Sequence, residues 1–237
     1  MRLSLAAGAV ALVGLVLLGA AGPAYRLGLP LGSAFSIVRW ADYVALGGAA
    51  ASLAVVFWSR RNARPGPAVV AGLGVVLGVL TAAAGYGWLR QAQAAPALHD
   101  VTTDLENPPT FEALAASRPA GSNPLTRSRE VDQLQRQYYA DLAPATLTEP
   151  TRLVFERARM VAENQGWVIA MSNPDAGRLE ATDTTAWFGF TDDIVVRLTP
   201  WGTGTRVDVR SVSRYGTTDT GTNARRIRRF FTALQAP

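Results

Sequence analysis

Three long uncharged stretches at the front of the chain constrain everything that follows them. Residues 3–22 contain 20 consecutive residues without a charge, residues 43–59 give 17 more, and residues 65–89 give 25. A helix needs ~20 apolar residues to cross the hydrocarbon layer, so the first and third runs qualify directly. The second reaches that length when its start is set near Trp40. Asp42 then stands at the interface, where an acid escapes the ~2.5–3.5 kcal/mol penalty of a helix centre, with Arg39 one turn earlier as a partner. Trp40, Tyr43, Trp58, Tyr86 and Trp88 lie near the ends of the runs, as interfacial rings do. The sequence thus predicts a membrane region over 1–90, with spans at about 3–22, 40–59 and 66–89. For the first run a cleaved signal peptide is the alternative, because GAAGPA supplies small residues after an apolar core; two spans survive cleavage. Gly74 and Gly78 form a GxxxG pair, and Gly47 with Ala51 a weaker one. Both permit close helix contact, for which packing within the chain is the plain account and oligomerisation the alternative.

Arginine placement predicts orientation. The short connection between the second and third spans holds Arg60, Arg61 and Arg64, and such clusters stay in the cytoplasm. Counting spans from there puts the N-terminus inside, the 23–39 loop outside, and everything after Arg90 outside. The same count disposes of the net charge of +5. Seven arginines and one acid precede Leu98, whereas 16 arginines and 17 acids follow it. A nucleic-acid-binding domain carries its positive excess where it folds, so nucleic acid is not the expected partner. There is no cysteine, no lysine and one histidine. This excludes disulfides, thiolate nucleophiles, lysine Schiff bases, the lysine-bearing phosphate loop and multi-histidine metal cages. No cofactor and no metal is expected.

Residues 91–97 (QAQAAPA) read as a linker and 98–237 as a domain. Residues 98–150 hold six prolines and should be mostly extended, with one helix at about 127–139 presenting Val131, Leu134 and Tyr138. Residues 151–165 place Val154, Phe155, Ala158, Val161 and Ala162 on one helical stripe. Strands follow at about 167–172, 178–188, 193–199 and 205–213, with NPDAG, FTDD and PWGTG as turns. In the last pair, matching the apolar sets aligns Leu198 with Val207 and Val196 with Val209. That register sets Arg197 across from Asp208 and Val195 across from Arg210. A final helix at about 222–235 buries Ala224, Ile227, Phe230, Phe231 and Leu234. Arg225, Arg226, Arg228 and Arg229 cover the rest of it, and Asp219 or Thr220 caps it. The expected fold is α+β: three transmembrane helices, then an antiparallel four-stranded meander with two or three packing helices.

The strings HDVTTDLENPPTF, EATDTTAWFGFTDDIVVRL and RVDVRSVSRYGTTDTGTNARRIRRFF resemble a bacterial family known as domain of unknown function 1499. The likeness covers most of 98–235, and the last string is the most specific. It implies a recurring cell-envelope module behind a hydrophobic N-terminal region, hence an inner-membrane protein with a periplasmic domain; it implies no activity and no catalytic residue.

Three places are candidate sites. His99, Asp100 and Asp104 sit together in HDVTTD, as an acid–base or half-metal site or as local caps of an extended segment. Asp192 and Asp193 are adjacent acids that share a proton or cation only if the chain twists there; a turn capped by one of them is the simpler account. The third lies in RSVSRYGTTDTGTN, with Arg210, Ser211, Ser213, Arg214, Asp219 and Asn223 running from a strand into a helix start, next to the polar face of Glu180, Thr182, Arg197 and Asp208. Arginine forks and helix-start amides suit an anion, while Asp219 opposes one and a loop braced by ion pairs explains the same residues. The residues favour a non-enzymatic module, tethered to the lipid bilayer, that binds an anionic envelope ligand or a membrane protein partner. The alternative is an envelope hydrolase or transferase using His99 or Asp192 and Asp193, with an arginine clamp.

Overall fold

A bilayer offers no hydrophobic gain for burying leucine between helices, so spanning helices pack through small residues and turn their large ones outward. The computed structural model, described for residues 1–218 and 220–236, shows that pattern in the first of two units, Met1–Gln93 with Ala186–Gly189. Its three helices, α1 (Arg2–Arg26), α2 (Leu31–Arg61) and α3 (Pro65–Ala94), are each long and apolar enough to cross a membrane. Ala7, Ala11, Gly14, Ala41, Ala45, Ala49, Ala71, Gly74 and Gly78 face inward, whereas Leu12, Val16, Leu46, Leu53, Phe57, Leu73 and Leu80 face outward. A Cβ on Gly78 would lie 2.9 Å from that of Ala49, so the GxxxG of α3 serves packing within the chain. On α2 the close contact is made by Gly48 against Ala11; Gly47 has open space around it. The expected 23–39 loop shrinks to residues 27–30, because nothing in the polar stretch after Pro30 breaks a helix. Arg39 consequently donates to Ser36 (3.5 Å), its neighbour one turn back, and not to Asp42. Residues 186–189 belong to this unit: Phe188 stacks on Trp88 (5.3 Å, 7°) and meets Phe35 edge-on (5.6 Å).

The second unit is α+β. Antiparallel strands β3 (Val168–Asn173), β4 (Arg178–Thr184), β5 (Thr191–Trp201) and β6 (Gly204–Ser213) form the meander. Two short strands, β1 (Asp100–Thr102) and β2 (Ala145–Leu147), both pair with β6 and raise the sheet to six strands in the order β1-β6-β5-β4-β3 with β2 beside β6. In the β5–β6 pair Arg197 opposes Asp208, Val196 opposes Val209, Leu198 opposes Val207 and Val195 opposes Arg210, the register that the apolar alternation demands. FTDD is not a turn. β5 already begins at Thr191, and the chain reverses in residues 185–190, where the Thr185 amide donates to the Phe190 carbonyl (2.9 Å).

Four helices complete the unit: α4 (Ala113–Ser117), α5 (Arg129–Tyr138), α6 (Thr151–Asn164) and α7 (Thr222–Leu234). α6 and α7 cover one sheet face. Val154, Phe155, Ala158, Ile227 and Phe230 meet Ile194, Val196, Leu198, Val207 and Val209 there, and Trp167 stacks on Phe230 (5.2 Å, 17°). Two expectations fail in detail. On α5 the buried residue is Gln135, not the Val131–Leu134–Tyr138 stripe. On α7, Arg226 is fully buried instead of facing solvent. Its position follows from geometry: Arg226 stands three residues after Asn223 and four before Phe230, both buried, and so shares their stripe.

Candidate functional site

Strand alternation sorts the polar residues of β5 and β6 onto two faces. Asp193, Val195 and Arg197 with Asp208, Arg210 and Val212 point away from α6 and α7; Asp192 with Ser211 and Ser213 point toward them. The face away from these helices carries Glu180, Thr182, Arg197 and Asp208, but it is not an open surface. Instead the proline-rich segment 104–127 runs across it, fastened by charge-assisted bonds. Asp104 accepts from Arg197 (3.1 Å) and Arg206 (2.8 Å), both of which also bind Asp208 (3.1 Å each). The buried Glu180 carboxylate accepts from the backbone amides of Glu112 (2.6 Å) and Leu114 (2.9 Å). Arg118 pairs with Asp193 and donates to the Asn123 carbonyl (2.8 Å), while Arg214 grips the same carboxylate through two nitrogens (2.9 and 2.8 Å). Phe111, Leu114 and Leu125 fill the space below, against Val195 and Val212.

At the edge of this face, Asp100 holds Arg210 in a fork (3.0 and 2.7 Å) and Arg127 beside it (2.7 Å). Arg210 also donates to the carbonyls of Pro109 (3.2 Å) and Leu125 (2.6 Å). His99 contributes its backbone carbonyl, which accepts from Ser213 N (2.7 Å) and Asn223 Nδ2 (3.3 Å). Burial, reinforced by Arg127, Arg118 and Arg210 and opposed by Asp100, lowers the His99 pKa, so the ring is held neutral. Among the described residues no carboxylate forms an ion pair with this histidine. Asp104 caps its own turn, accepting from Glu106 N (3.1 Å) and Asn107 N (2.9 Å).

On the other face Arg226 bridges Asp183 (2.8 Å) and Asp192 (2.7 Å), which are cross-strand neighbours. Its guanidinium also reaches Ser211 Oγ (3.0 Å) and Asn223 Oδ1 (2.8 Å), and Asn223 bonds Ser213 Oγ (3.0 Å). Burial raises the Asp192 pKa, Asp183 adds to the rise, and Arg226 and Ser213 oppose it. Asp219 lies outside the described residues; the residue before α7 is Gly221 in the left-handed region (φ 76°), with no side-chain cap.

The candidate residues therefore fall into two ionic seams. Arg197, Asp208, Arg210, Arg214, Asp100 and Asp193 belong to one, Asp192, Ser211, Ser213 and Asn223 to the other, and the adjacent acids 192 and 193 are separated by the sheet. Sequence reasoning missed Arg118 and Asn123, which come from a stretch with no periodicity, and Arg127 and Gln135, which the helix reading at 127–139 left off its apolar stripe; it misplaced Arg226, which a helical projection assigns correctly.

A family model described as Protein of unknown function (DUF1499) matches residues 100–234. This chain belongs to that family. No curated protein matches the sequence. The matched DUF1499 region begins at Asp100 and includes both seams, so the ionic fastening of segment 104–127 lies inside the family domain, and the three apolar helices lie ahead of it. Asp100, Asp193 and Asp208 each accept from two arginines, Glu180 from paired amides, and Asp192 from Arg226. Among the described residues no three His, Cys, Asp or Glu side chains are grouped to hold a metal ion.

Proposed function

We propose that the chain is an integral protein of the bacterial inner membrane that holds its DUF1499 domain on the periplasmic side and works there by binding, with an anionic envelope component or a membrane protein as partner. The observation that carries the binding role is the engagement of the domain's interior charges: Asp100, Asp193, Asp208, Glu180 and Asp192 are all held by arginines or amides. The hydrolase or transferase alternative needs one of them as base or nucleophile. Orientation is supported by arginine placement. Arg2, Arg60, Arg61 and Arg64 share the end of the helices expected in the cytoplasm, against Arg26, Arg39 and Arg90 at the other.

Native mass spectrometry of the full chain, purified from its own membranes in mild detergent, tests the role. A retained anionic lipid, glycan or protein subunit is the expected result. Sustained turnover of phosphate or acyl esters by the same preparation, abolished by His99→Gln in a variant that melts with the parent, would establish the enzymatic alternative in its place.

A further inference from the structure

The tip of the β4–β5 hairpin has an unusual composition for a turn in water. Turns that face solvent favour Gly, Pro, Asn, Asp and Ser, as residues 174–177 (PDAG) show between β3 and β4. Residues 187–190 (WFGF) instead carry three aromatic rings, Trp187, Phe188 and Phe190, and no charge stands between Asp183 and Asp192.

The surroundings of this tip give the reason. Ala186–Gly189 belong to the helical unit, where they touch one end of all three helices. Phe188 is 2% exposed and lies among Tyr25 of α1, Phe35 of α2 and Trp88 of α3, with ring centroids 6.0, 5.6 and 5.3 Å away. Trp187 meets Trp88 edge-on (5.2 Å). Its backbone passes so close to α1 that a Cβ on Gly22 would overlap the Trp187 carbonyl. Arg26 donates to the Ala186 carbonyl (3.3 Å) and lays its stem along Gly189.

These contacts also fix a depth. Gly22 is the last residue of the uncharged run 3–22, and Trp88 is the last but one of the run 65–89. Such positions stand where hydrocarbon gives way to headgroups. Apolar surface continues past them, since Leu27, which follows α1, is 90% exposed. Trp40, Tyr43 and Tyr86 are exposed near the same end, as rings of an interfacial belt are.

We propose that the β4–β5 hairpin tip is a fourth membrane-contacting element, seated in the headgroup layer at this end of the helices, with phospholipid against Ala186 and the half-buried ring of Trp187. The proposal rests on reading α1, α2 and α3 as membrane spans. An indole suits that layer because its body is apolar and its N–H is polar. Arg26, exposed beside the tip, offers a guanidinium to lipid phosphate.

The absence of cysteine lets single sites be labelled. Ala186→Cys at the tip, Thr203→Cys in the β5–β6 turn and Leu12→Cys on α1 all replace exposed residues. Each full-length variant carries an environment-sensitive fluorophore in vesicles of phosphatidylethanolamine and phosphatidylglycerol. The quencher is a lipid nitroxide near the headgroup, a lipid nitroxide deep in the acyl chain, or iodide in the water. The shallow nitroxide should quench the label at position 186 at least ~3-fold more than the label at 203, and more than the deep nitroxide does. The label at position 12 should follow the deep nitroxide. If position 12 reports lipid while 186 is quenched like 203, by iodide and by neither nitroxide, the proposal is overturned and the spans stand. If position 12 answers to iodide alone, the spans fail and the proposal fails with them.

Discussion

Asp192 and Asp193 are neighbours in the chain and opposites in their energetics. Asp193 is wholly buried and is the shared acceptor of Arg118 and Arg214. Asp193→Asn leaves two largely buried guanidiniums without a counter-charge and should cost about 3–5 kcal/mol, the usual penalty for breaking one side of a buried pair. Asp192 shares Arg226 with Asp183, so Asp192→Asn leaves that arginine paired; the cost should stay below ~1.5 kcal/mol. Denaturant unfolding of the full chain in detergent separates the two. Asp192 and His99 give pH dependences of opposite sign. Burial raises the folded pKa of Asp192, so between the ordinary carboxylate value and the raised one the folded state holds more protons, and stability falls as pH rises. Asp192→Asn should therefore gain on the parent as pH increases through that window. His99 behaves oppositely. Its folded pKa is lowered, the unfolded chain binds the proton first, and stability falls as pH drops below about 6.5 toward the lowered folded value. A His99→Gln variant should lose less stability over that interval than the parent, measured as the difference between their melting curves.

At the scale of elements, the parts with a strong period were legible and those held by single side chains were not. Alternation alone sets the β5–β6 register and with it the Arg197–Asp208 pair (3.1 Å), because a one-residue slip turns Val196, Leu198, Val207 and Val209 away from the helices. β1 is three residues long and carries no period. It is placed by Gln135, whose amide accepts from Thr102 N (3.1 Å) and donates to the Thr102 carbonyl, in the way a neighbouring strand would. No pattern in residues 98–150 announces that bond, which is why a helix reading there favoured Val131, Leu134 and Tyr138. The candidate site was hidden for the same reason: its arginines and acids were visible, but Arg118 and Arg127 reach them across a non-periodic segment. Gln135→Leu leaves both backbone groups of Thr102 unpaired in a buried setting, at about 1–3 kcal/mol each. Hydrogen exchange at residues 100–102 should accelerate in this variant before exchange in β4 and β5 changes.

For the whole molecule, the division into apolar helices and α+β domain was plain from composition, since no globular domain needs three uncharged runs of such length. The lengths themselves were not. α2 starts at Leu31 because helix continues wherever nothing stops it, and hydropathy marks only the part that lipid requires. Two consequences of the helical unit can be measured. Gly78→Leu forces a side chain onto Ala45 and Ala49 and should destabilise the bundle by about 1–3 kcal/mol, whereas Gly72→Leu, with open space around it, should leave the melting curve unchanged. Topology is the second. If all three of the apolar helices cross, the domain lies on the side opposite the N-terminus. The loop with Arg60, Arg61 and Arg64 selects between the two orientations. A periplasm-dependent phosphatase fused to the C-terminus should be active and a cytosol-dependent fluorescent protein dark. Replacing the three arginines by glutamine should weaken that bias and raise the cytosolic signal, while an unaltered distribution would show that orientation is set by something other than these charges.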